Sequence, residues 1–229
     1  MAHKLPRAIV LAACAVVLLA LAAAPPLVVA GDPDMLQDIC VADYHSLKGP
    51  LRLNGFPCKR LENATAHDFS SHLLKNPGNT SNAVGSAVTA ANVDNLPGLN
   101  TLGVSMARID FAPGGVNPPH THPRATEVIF VLHGTLDVGF VTTGNVLFAR
   151  TLRKGDVFVF PRGLAHFQRN NAGCPAAVVS AFNSQLPGTQ SIAAALFGAS
   201  PPVPTDVLAT AFQIDGGLVE AIKSKFPPM

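Results

Sequence analysis

The sequence predicts an all-β protein, a sandwich or barrel of short antiparallel strands, that ends in short helices. From Thr101 onward, short apolar stretches recur, and turn-forming residues separate them at even spacing. Several of these stretches alternate apolar and polar residues, which is the period of a strand with one buried face. Beyond position 190, the apolar residues change to helical spacing. Even strand spacing of this kind is typical of an antiparallel sandwich or barrel.

Turn signals bound the predicted strands. These strands are Val128–Leu132, Leu136–Phe140, Val146–Leu152, Val157–Phe160 and Ala176–Phe182. Thr142–Asn145 is predicted to form a hairpin loop. We interpret Lys154–Asp156 as a tight turn between strands rather than an adhesion signal.

Three short helices are predicted to close the chain, within residues 190–226. The first covers Ile192–Phe197, and Thr205 is predicted to cap the second, whose first turn carries Asp206. Gly216-Gly217 interrupts the spacing before the third. These helices are apolar enough to need a covering surface, which is either the barrel or another subunit.

Residues 1–30 are predicted to be a cleaved secretory signal peptide. Lys4 and Arg7 precede an apolar run, and small residues end the segment at Ala30. The alternative is a membrane anchor, but the run is short and Pro25-Pro26 interrupts it. We therefore expect a secreted protein with no membrane partner.

The remaining chain, residues 31–229, suits one compact domain. We divide it into an N-terminal arm (31–100), a barrel core (101–185) and the C-terminal helices (190–226). The whole chain has 16 basic and 14 acidic residues, and the signal peptide carries two of the basic ones. The mature chain therefore has no net charge, which gives no reason to expect a nucleic-acid partner.

Three cysteines remain after removal of the signal peptide, and the oxidising secretory route favours a disulfide. Cys40 and Cys58 lie close together in a polar, loop-like stretch. A bridge between them would staple that loop and leave Cys174 free. Pairing of Cys174 with either of the others is the open alternative.

Two N-glycosylation sequons occur in the arm. They begin at Asn63 and Asn79, both in polar sequence that suits an exposed acceptor. We expect each to be a candidate glycosylation site in a secreted eukaryotic protein.

Three histidines and a glutamate form a candidate metal site. His120 and His122 are two residues apart, so on a strand both rings point to one side. Pro123-Arg124 can turn the chain and bring Glu127 back, and His166 follows another strand and a break. A nitrogen and oxygen donor set suits manganese, iron or another divalent transition metal. Four protein ligands leave two positions of an octahedral ion open, as catalytic sites require.

Two linked motifs around these residues resemble those of the cupin superfamily, and of germins and germin-like proteins within it. The first has the spacing Gly114-x5-His120-x-His122-x4-Glu127-x6-Gly134. The second has the spacing Gly155-x5-Pro161-x-Gly163-x2-His166-x3-Asn170. The resemblance extends over the mature chain, including the segments 37–43, 100–115, 182–188 and 196–226.

The resemblance implies a cupin jelly-roll β-barrel with short C-terminal α-helices. It also implies a homo-oligomer, a hexamer built as a trimer of dimers, in the plant apoplast or cell wall. Manganese would be the cofactor, on His120, His122, Glu127 and His166, and the disulfide would join Cys40 to Cys58. Germins that oxidise oxalate carry two asparagines near the metal. Asn117 occupies one of these places, as a substrate-binding candidate, and Ala107 occupies the other.

The sequence is compatible with three candidate functions. The first is superoxide dismutation to peroxide, linked to defence, which needs only a small open metal site. The second is oxalate oxidation, which Ala107 weakens because alanine has no side-chain hydrogen-bond donor. The third is a non-catalytic wall or receptor glycoprotein with a structural metal. Beyond the metal ligands, the sequence identifies no catalytic residue.

Overall fold

The structure is a computed structural model that describes residues 37–46 and 55–226. The described residues belong to one compact unit. The predicted signal peptide, residues 1–30, lies outside the described residues. Among the helices of the described ranges, none is long and apolar enough to cross a membrane.

Within the described ranges, ten strands form two antiparallel sheets of five strands each. In chain order they are β1 (Ser86–Ala91), β2 (Ser105–Phe111), β3 (Val116–Thr121), β4 (Glu127–His133), β5 (Thr135–Val141), β6 (Leu147–Arg153), β7 (Val157–Phe160), β8 (His166–Arg169), β9 (Ala176–Phe182) and β10 (Gln190–Ser191). The first sheet has the order β1-β2-β9-β4-β7, and the second has the order β10-β3-β8-β5-β6. The prediction of an all-β cupin fold with short C-terminal helices is confirmed.

Alternation along the strands creates the core between the sheets. In β4, Glu127, Ile129 and Val131 are buried, whereas Val128 and Phe130 are exposed. Successive side chains of a strand point to opposite faces, so one face of β4 packs inward. The main cluster is apolar and draws on both sheets: Ile109, Phe111, Ile129, Val131, Leu136, Val138, Leu152, Phe160, Ala176 and Val178.

The predicted turns are present. Asn145 has a positive φ of 60° in the hairpin between β5 and β6, a conformation that asparagine tolerates better than most residues. Gly155 has a φ of 91° between β6 and β7, where the chain passes from the second sheet to the first. Asp156 Oδ2 accepts the amide of Arg153 at 2.8 Å across this turn. Lys154–Asp156 is therefore a strand-connecting turn.

A disulfide and a buried amide hold the described parts of the arm together. Cys40 is bonded to Cys58, and Cys174 is free and exposed. The Asn100 side chain accepts the Phe56 amide at 2.9 Å and donates to the Phe56 carbonyl at 2.8 Å. The barrel starts before Thr101, because β1 pairs with β2 along its full length.

Three helices follow the barrel: α1 (Ile192–Phe197), α2 (Thr205–Phe212) and α3 (Gly216–Lys223). Thr205 was the wrong cap, because Pro204 holds the cap position and Thr205 is the first helical residue. The Thr205 hydroxyl instead donates to Glu220 and accepts from Lys223, both on α3. Gly216 begins α3 rather than interrupting a helix. Asp215 caps it by accepting the Leu218 amide at 2.9 Å.

Candidate metal centre

Four side chains from three strands and a turn meet inside the barrel. They are His120, His122, Glu127 and His166. One ligand atom from each lies within 4.8 Å of the others, and all four residues are buried. Two ligand atoms on opposite sides of one ion, each bound at about 2.1 Å, are about 4.2 Å apart. The observed spread is therefore close to what a single ion requires.

The backbone brings the four residues together from both sheets. His120 of β3 lies directly opposite His166 of β8 in the second sheet. A register irregularity between Asn117 and His120 bends β3 at two prolines, which cannot donate to a ladder. Glu127 begins β4 of the first sheet after a short turn.

Backbone carbonyls fix the orientation of all three imidazole rings. Nδ1 of His120 lies 2.8 Å from the Pro118 carbonyl oxygen, and Nδ1 of His166 lies 2.8 Å from that of Leu164. Nδ1 of His122 lies 2.6 Å from the carbonyl oxygen of Gly188. A carbonyl oxygen can only accept, so each Nδ1 carries the hydrogen. Each neutral ring therefore presents the lone pair of Nε2, which is the form that binds a metal.

The Gly188 carbonyl reaches His122 because the residue has a left-handed backbone. Its φ is 67°, and a Cβ at this position would lie 2.7 Å from Nη2 of Arg124. A side chain at Gly188 would be strained and would collide with that guanidinium. Glycine here thus keeps the carbonyl in place behind a candidate ligand.

The hydrogen-bond arrangement around Glu127 fits a cation. Oε2 lies 3.1 Å from Nε2 of His122 and 3.0 Å from Nε2 of His166. With hydrogens on Nδ1, these nitrogens and the carboxylate oxygen present lone pairs to one another. A divalent ion at the point they share would convert that repulsion into coordination. The donor set, three imidazoles and one carboxylate, fits manganese, iron or another divalent transition ion.

The pKa values of two candidate ligands are lowered. Burial, with a smaller repulsion from the neighbouring His166, lowers the pKa of His120 to about 4. Burial by itself would raise the pKa of Glu127. In the metal-free protein, hydrogen bonds from Nε2 of His122 and His166, made when a proton takes the place of the metal ion there, and from Ser180 outweigh burial and bring the pKa to about 2. Near neutral pH, His120 is therefore neutral and Glu127 is ionised, which is the state that binds a metal.

A cavity of about 280 Å³ opens onto three of the four residues, His120, His122 and Glu127. Asn117 lines it, and its Nδ2 donates to Gln168 Oε1 at 2.7 Å. Ala107 also lines the cavity. The alanine that stands at the place of the second asparagine therefore faces the candidate site. The rest of the cavity wall is mostly apolar.

Comparison with known proteins gives the family. Residues 72–220 match the family model described as Cupin. A germin-like protein 1-3 of Oryza sativa subsp. japonica is 72% identical over 220 residues, which cover 96% of this chain and 97% of the relative. The chain belongs to the germin-like proteins of the cupin family.

Other relatives of this germin-like protein carry different descriptions. Nectarin-1 of Nicotiana langsdorffii x Nicotiana sanderae is 66% identical over 200 residues, 87% of this chain and 85% of that protein. A solved structure of recombinant oxalate oxidase in complex with glycolate is 50% identical, with a TM-score of 0.81. It covers 85% of this chain and 98% of that one.

The remaining histidines of the described ranges lie outside the candidate metal cluster. His45, His67, His72 and His133 are all exposed. Asn63 and Asn79, the two sequon acceptors, are also exposed. Exposure is compatible with glycosylation, which stays a prediction.

Sequence reasoning missed two side chains of this germin-like site. Ser180 donates to Glu127 Oε1 at 2.7 Å, and Gln168 holds Asn117. Strand alternation was a usable signal for Gln168, because it lies two residues after His166 and so faces the same side of β8. No local signal identifies Ser180, since its partner is 53 residues away in the sequence.

Proposed function

We propose that the protein is a secreted, manganese-binding germin-like protein of the plant apoplast that dismutates superoxide to hydrogen peroxide. The proposal depends on one observation. Three Nε2 lone pairs and an ionised carboxylate converge at the inner end of an open cavity. Such a site can hold a divalent ion and still admit a small ligand.

Manganese, bound by His120, His122, Glu127 and His166, would supply one-electron exchange between two oxidation states. In dismutation, two superoxide anions and two protons give one dioxygen and one hydrogen peroxide, so the reaction needs no further oxidant or reductant. The protein's own contribution is to present neutral imidazoles at fixed angles and to keep Glu127 ionised. A substrate of two atoms requires no elaborate recognition, so the alanine at position 107 does not oppose this reaction.

Oxalate oxidation is the second candidate, because a structure described as an oxalate oxidase is 50% identical to this chain. Asn117 is in the cavity wall and is available to that reaction. Ala107 weakens the case for oxalate oxidation, because alanine cannot donate a hydrogen bond to oxalate. Losing a hydrogen bond to a charged substrate costs about 1.5–3 kcal/mol, or about ten- to a hundredfold in rate or affinity. A non-catalytic glycoprotein with a structural metal is the third candidate.

The wider assignment includes secretion, glycosylation and assembly. Three features support an extracellular glycoprotein: the signal peptide predicted for residues 1–30, the oxidised Cys40–Cys58 pair, and the exposed Asn63 and Asn79. The proposed domain limits are 31–229 for the mature chain, with the barrel beginning at β1 rather than at Thr101.

Assembly into a homo-oligomer, a hexamer in this proposal, is supported by the outer face of the first sheet. Val128 and Phe130 of β4 lie opposite Val159 and Val157 of β7, and all four are exposed. Met106 extends this surface across β9. A contiguous apolar surface of this kind favours contact with another protein, here a second copy of the chain.

Elemental analysis of the purified native protein, combined with a superoxide assay, tests the function. We expect about one manganese per chain and metal-dependent superoxide consumption with peroxide release. His122→Ala should lose both metal and activity, because it removes one of four ligands. His133→Ala is the matched control, since His133 is exposed and outside the cluster.

Retained stoichiometric metal in His122→Ala would contradict the ligand assignment. Full metal with neither superoxide nor oxalate turnover would favour the structural-metal alternative. Oxalate consumption without superoxide consumption would favour the second candidate.

A further inference from the structure

The cavity beside the candidate metal centre is larger and less polar than superoxide or oxalate requires. Its volume of about 280 Å³ corresponds to about nine water molecules at about 30 Å³ each. The candidate ligands form only part of its lining. The rest of the space must therefore suit a ligand that continues beyond the atoms next to the metal.

Apolar cross-strand pairs form part of the cavity wall. Ala90 of β1 lies opposite Ala107 of β2, and Val88 lies opposite Ile109 in the same register. Phe182 also lines the cavity. Small side chains at the first pair leave room there, while the larger ones supply apolar surface. This wall can bind an aliphatic group, and it has no charged side chain that could bind a second carboxylate.

The charge of the site also restricts the ligand. A divalent ion with the Glu127 carboxylate carries one net positive charge, and no Lys or Arg is among the residues that line the cavity in the described ranges. One carboxylate neutralises the site. A second carboxylate would be an uncompensated charge against an apolar wall, which is costly.

The polar groups of the wall have little capacity to compensate. The Ser105 hydroxyl already donates to the Ser184 carbonyl at 2.7 Å. Asn117 shares its Nδ2 with Gln168 and keeps one hydrogen and its oxygen for a ligand. Asn92 and Thr189 complete the polar part of the lining, and both are uncharged, so the wall offers no positive charge to a second carboxylate.

We propose that this cavity binds 2-hydroxy- or 2-oxo-monocarboxylates with a short aliphatic side chain, in preference to dicarboxylates. The carboxylate and its neighbouring oxygen lie at the candidate metal centre beside Asn117, and the aliphatic group lies against Ala90, Ala107 and Ile109. This inference rests on the proposed metal site, and it names the ligand class for that site rather than a second site.

Two ligands of nearly equal shape test it. 2-Hydroxy-4-methylpentanoate and malate share a 2-hydroxycarboxylate, and their side chains differ as leucine differs from aspartate. Calorimetric titration of manganese-loaded protein should give at least tenfold tighter binding of the former. Malate chelates free metal ions at least as well through its extra carboxylate, so the expected order reflects the cavity. Glycolate, which lacks the side chain, should bind more weakly than 2-hydroxy-4-methylpentanoate.

Three variants test whether the apolar wall causes the preference for 2-hydroxy-4-methylpentanoate. Ala90→Leu fills the apolar wall and should remove the advantage of 2-hydroxy-4-methylpentanoate over glycolate, with metal content unchanged because Ala90 is not a candidate ligand. Ala149→Leu makes the same change at an exposed position of β6, outside the cavity lining and the proposed interface, and should keep that advantage. Val88→Ser, at an exposed position of the cavity rim, provides a milder loss of apolar surface that is safe for folding.

Malate binding that equals or exceeds 2-hydroxy-4-methylpentanoate binding in the native protein would overturn the proposal. So would an advantage unaffected by both Ala90→Leu and Val88→Ser, or an absence of binding by metal-loaded protein. Metal analysis of the same samples separates these results from failure of the proposed function, in which the protein would hold no metal or the loaded protein would not consume superoxide.

Discussion

The hydroxyl of Ser180 donates a 2.7 Å hydrogen bond to Oε1 of Glu127, while Oε2 of the same carboxylate faces His122 and His166. The two oxygens of one carboxylate thus have separate roles. Ser180 lies on β9 and is fully buried, next to β4 in the first sheet. It therefore orients a candidate ligand without being one.

Ser180→Ala should weaken metal binding by about ten- to a hundredfold, the usual effect of removing a group that orients a ligand. The reason is that Oε1 loses its donor and the carboxylate becomes free to rotate. Competition with a chelator measures the affinity, and the electron paramagnetic resonance spectrum of bound manganese reports the changed coordination. Ser180→Thr, which keeps a hydroxyl, should restore part of the affinity.

Ser86→Ala is the control for this variant. Ser86 is also buried on a strand, but its hydroxyl donates to the Val116 carbonyl at 2.8 Å rather than to a candidate ligand. It should reduce stability slightly and leave metal affinity unchanged. Equal metal affinity in the native protein and Ser180→Ala would show that Glu127 does not need this bond.

Ala107→Asn should raise oxalate turnover by about ten- to a hundredfold, because it restores a donor in the cavity wall to a charged substrate. Steady-state assays of oxalate consumption and peroxide release measure it. Ala107→Val adds side-chain volume without a donor and should not raise turnover. An unchanged rate in Ala107→Asn, with full metal content, would mean that the missing amide does not limit oxalate oxidation.

Acid should destabilise the metal-free protein through His120. Its pKa is about 4 in the folded state against an ordinary value of 6.5, because burial disfavours the charged ring. Between these values the unfolded state binds more protons, so the free energy of unfolding decreases as the pH falls from 6.5 towards 4. At about 1.4 kcal/mol per pKa unit, the full loss is about 3 kcal/mol.

Denaturant unfolding of metal-free protein between pH 6.5 and pH 5 measures this slope. Glu127 contributes little in that range, since its lowered pKa of about 2 affects stability only near and below its ordinary value of 4.5. His120→Gln should flatten the slope, because glutamine does not titrate. A slope that is the same in both proteins would assign the pH dependence to other groups.

The Cys40–Cys58 disulfide should stabilise the native protein by about 3 kcal/mol, since it closes a loop with a sequence separation of 18 residues. The double variant Cys40→Ser/Cys58→Ser should therefore melt about 6–12 °C lower in calorimetry. Cys174→Ser should have little effect, because Cys174 is free and exposed. A double variant that melts with the native protein would show that the arm is held by its other contacts.

Much of the fold was predictable because strand alternation and turn residues are local signals. Val157–Phe160 and Ala176–Phe182 were predicted with the bounds the structure gives them. β1 was hidden within the predicted arm, since its sequence, rich in alanine, has no clear alternation of apolar and polar residues. The Thr205 cap failed because a contact with another helix took the hydroxyl that a local rule assigns to the backbone.

The sequence by itself determined the fold class, the family motifs and the identity of the four candidate metal ligands, because these depend on residue type and short spacing. Only the tertiary structure decided how the ligands are held and what the cavity offers. The carbonyl behind His122 and the hydroxyl behind Glu127 lie 66 and 53 residues away from their partners. Strand register sets such contacts, and a shift of one residue would turn every side chain of a strand to its other face. Strand register depends on how the sheets pack, so local sequence patterns do not predict it.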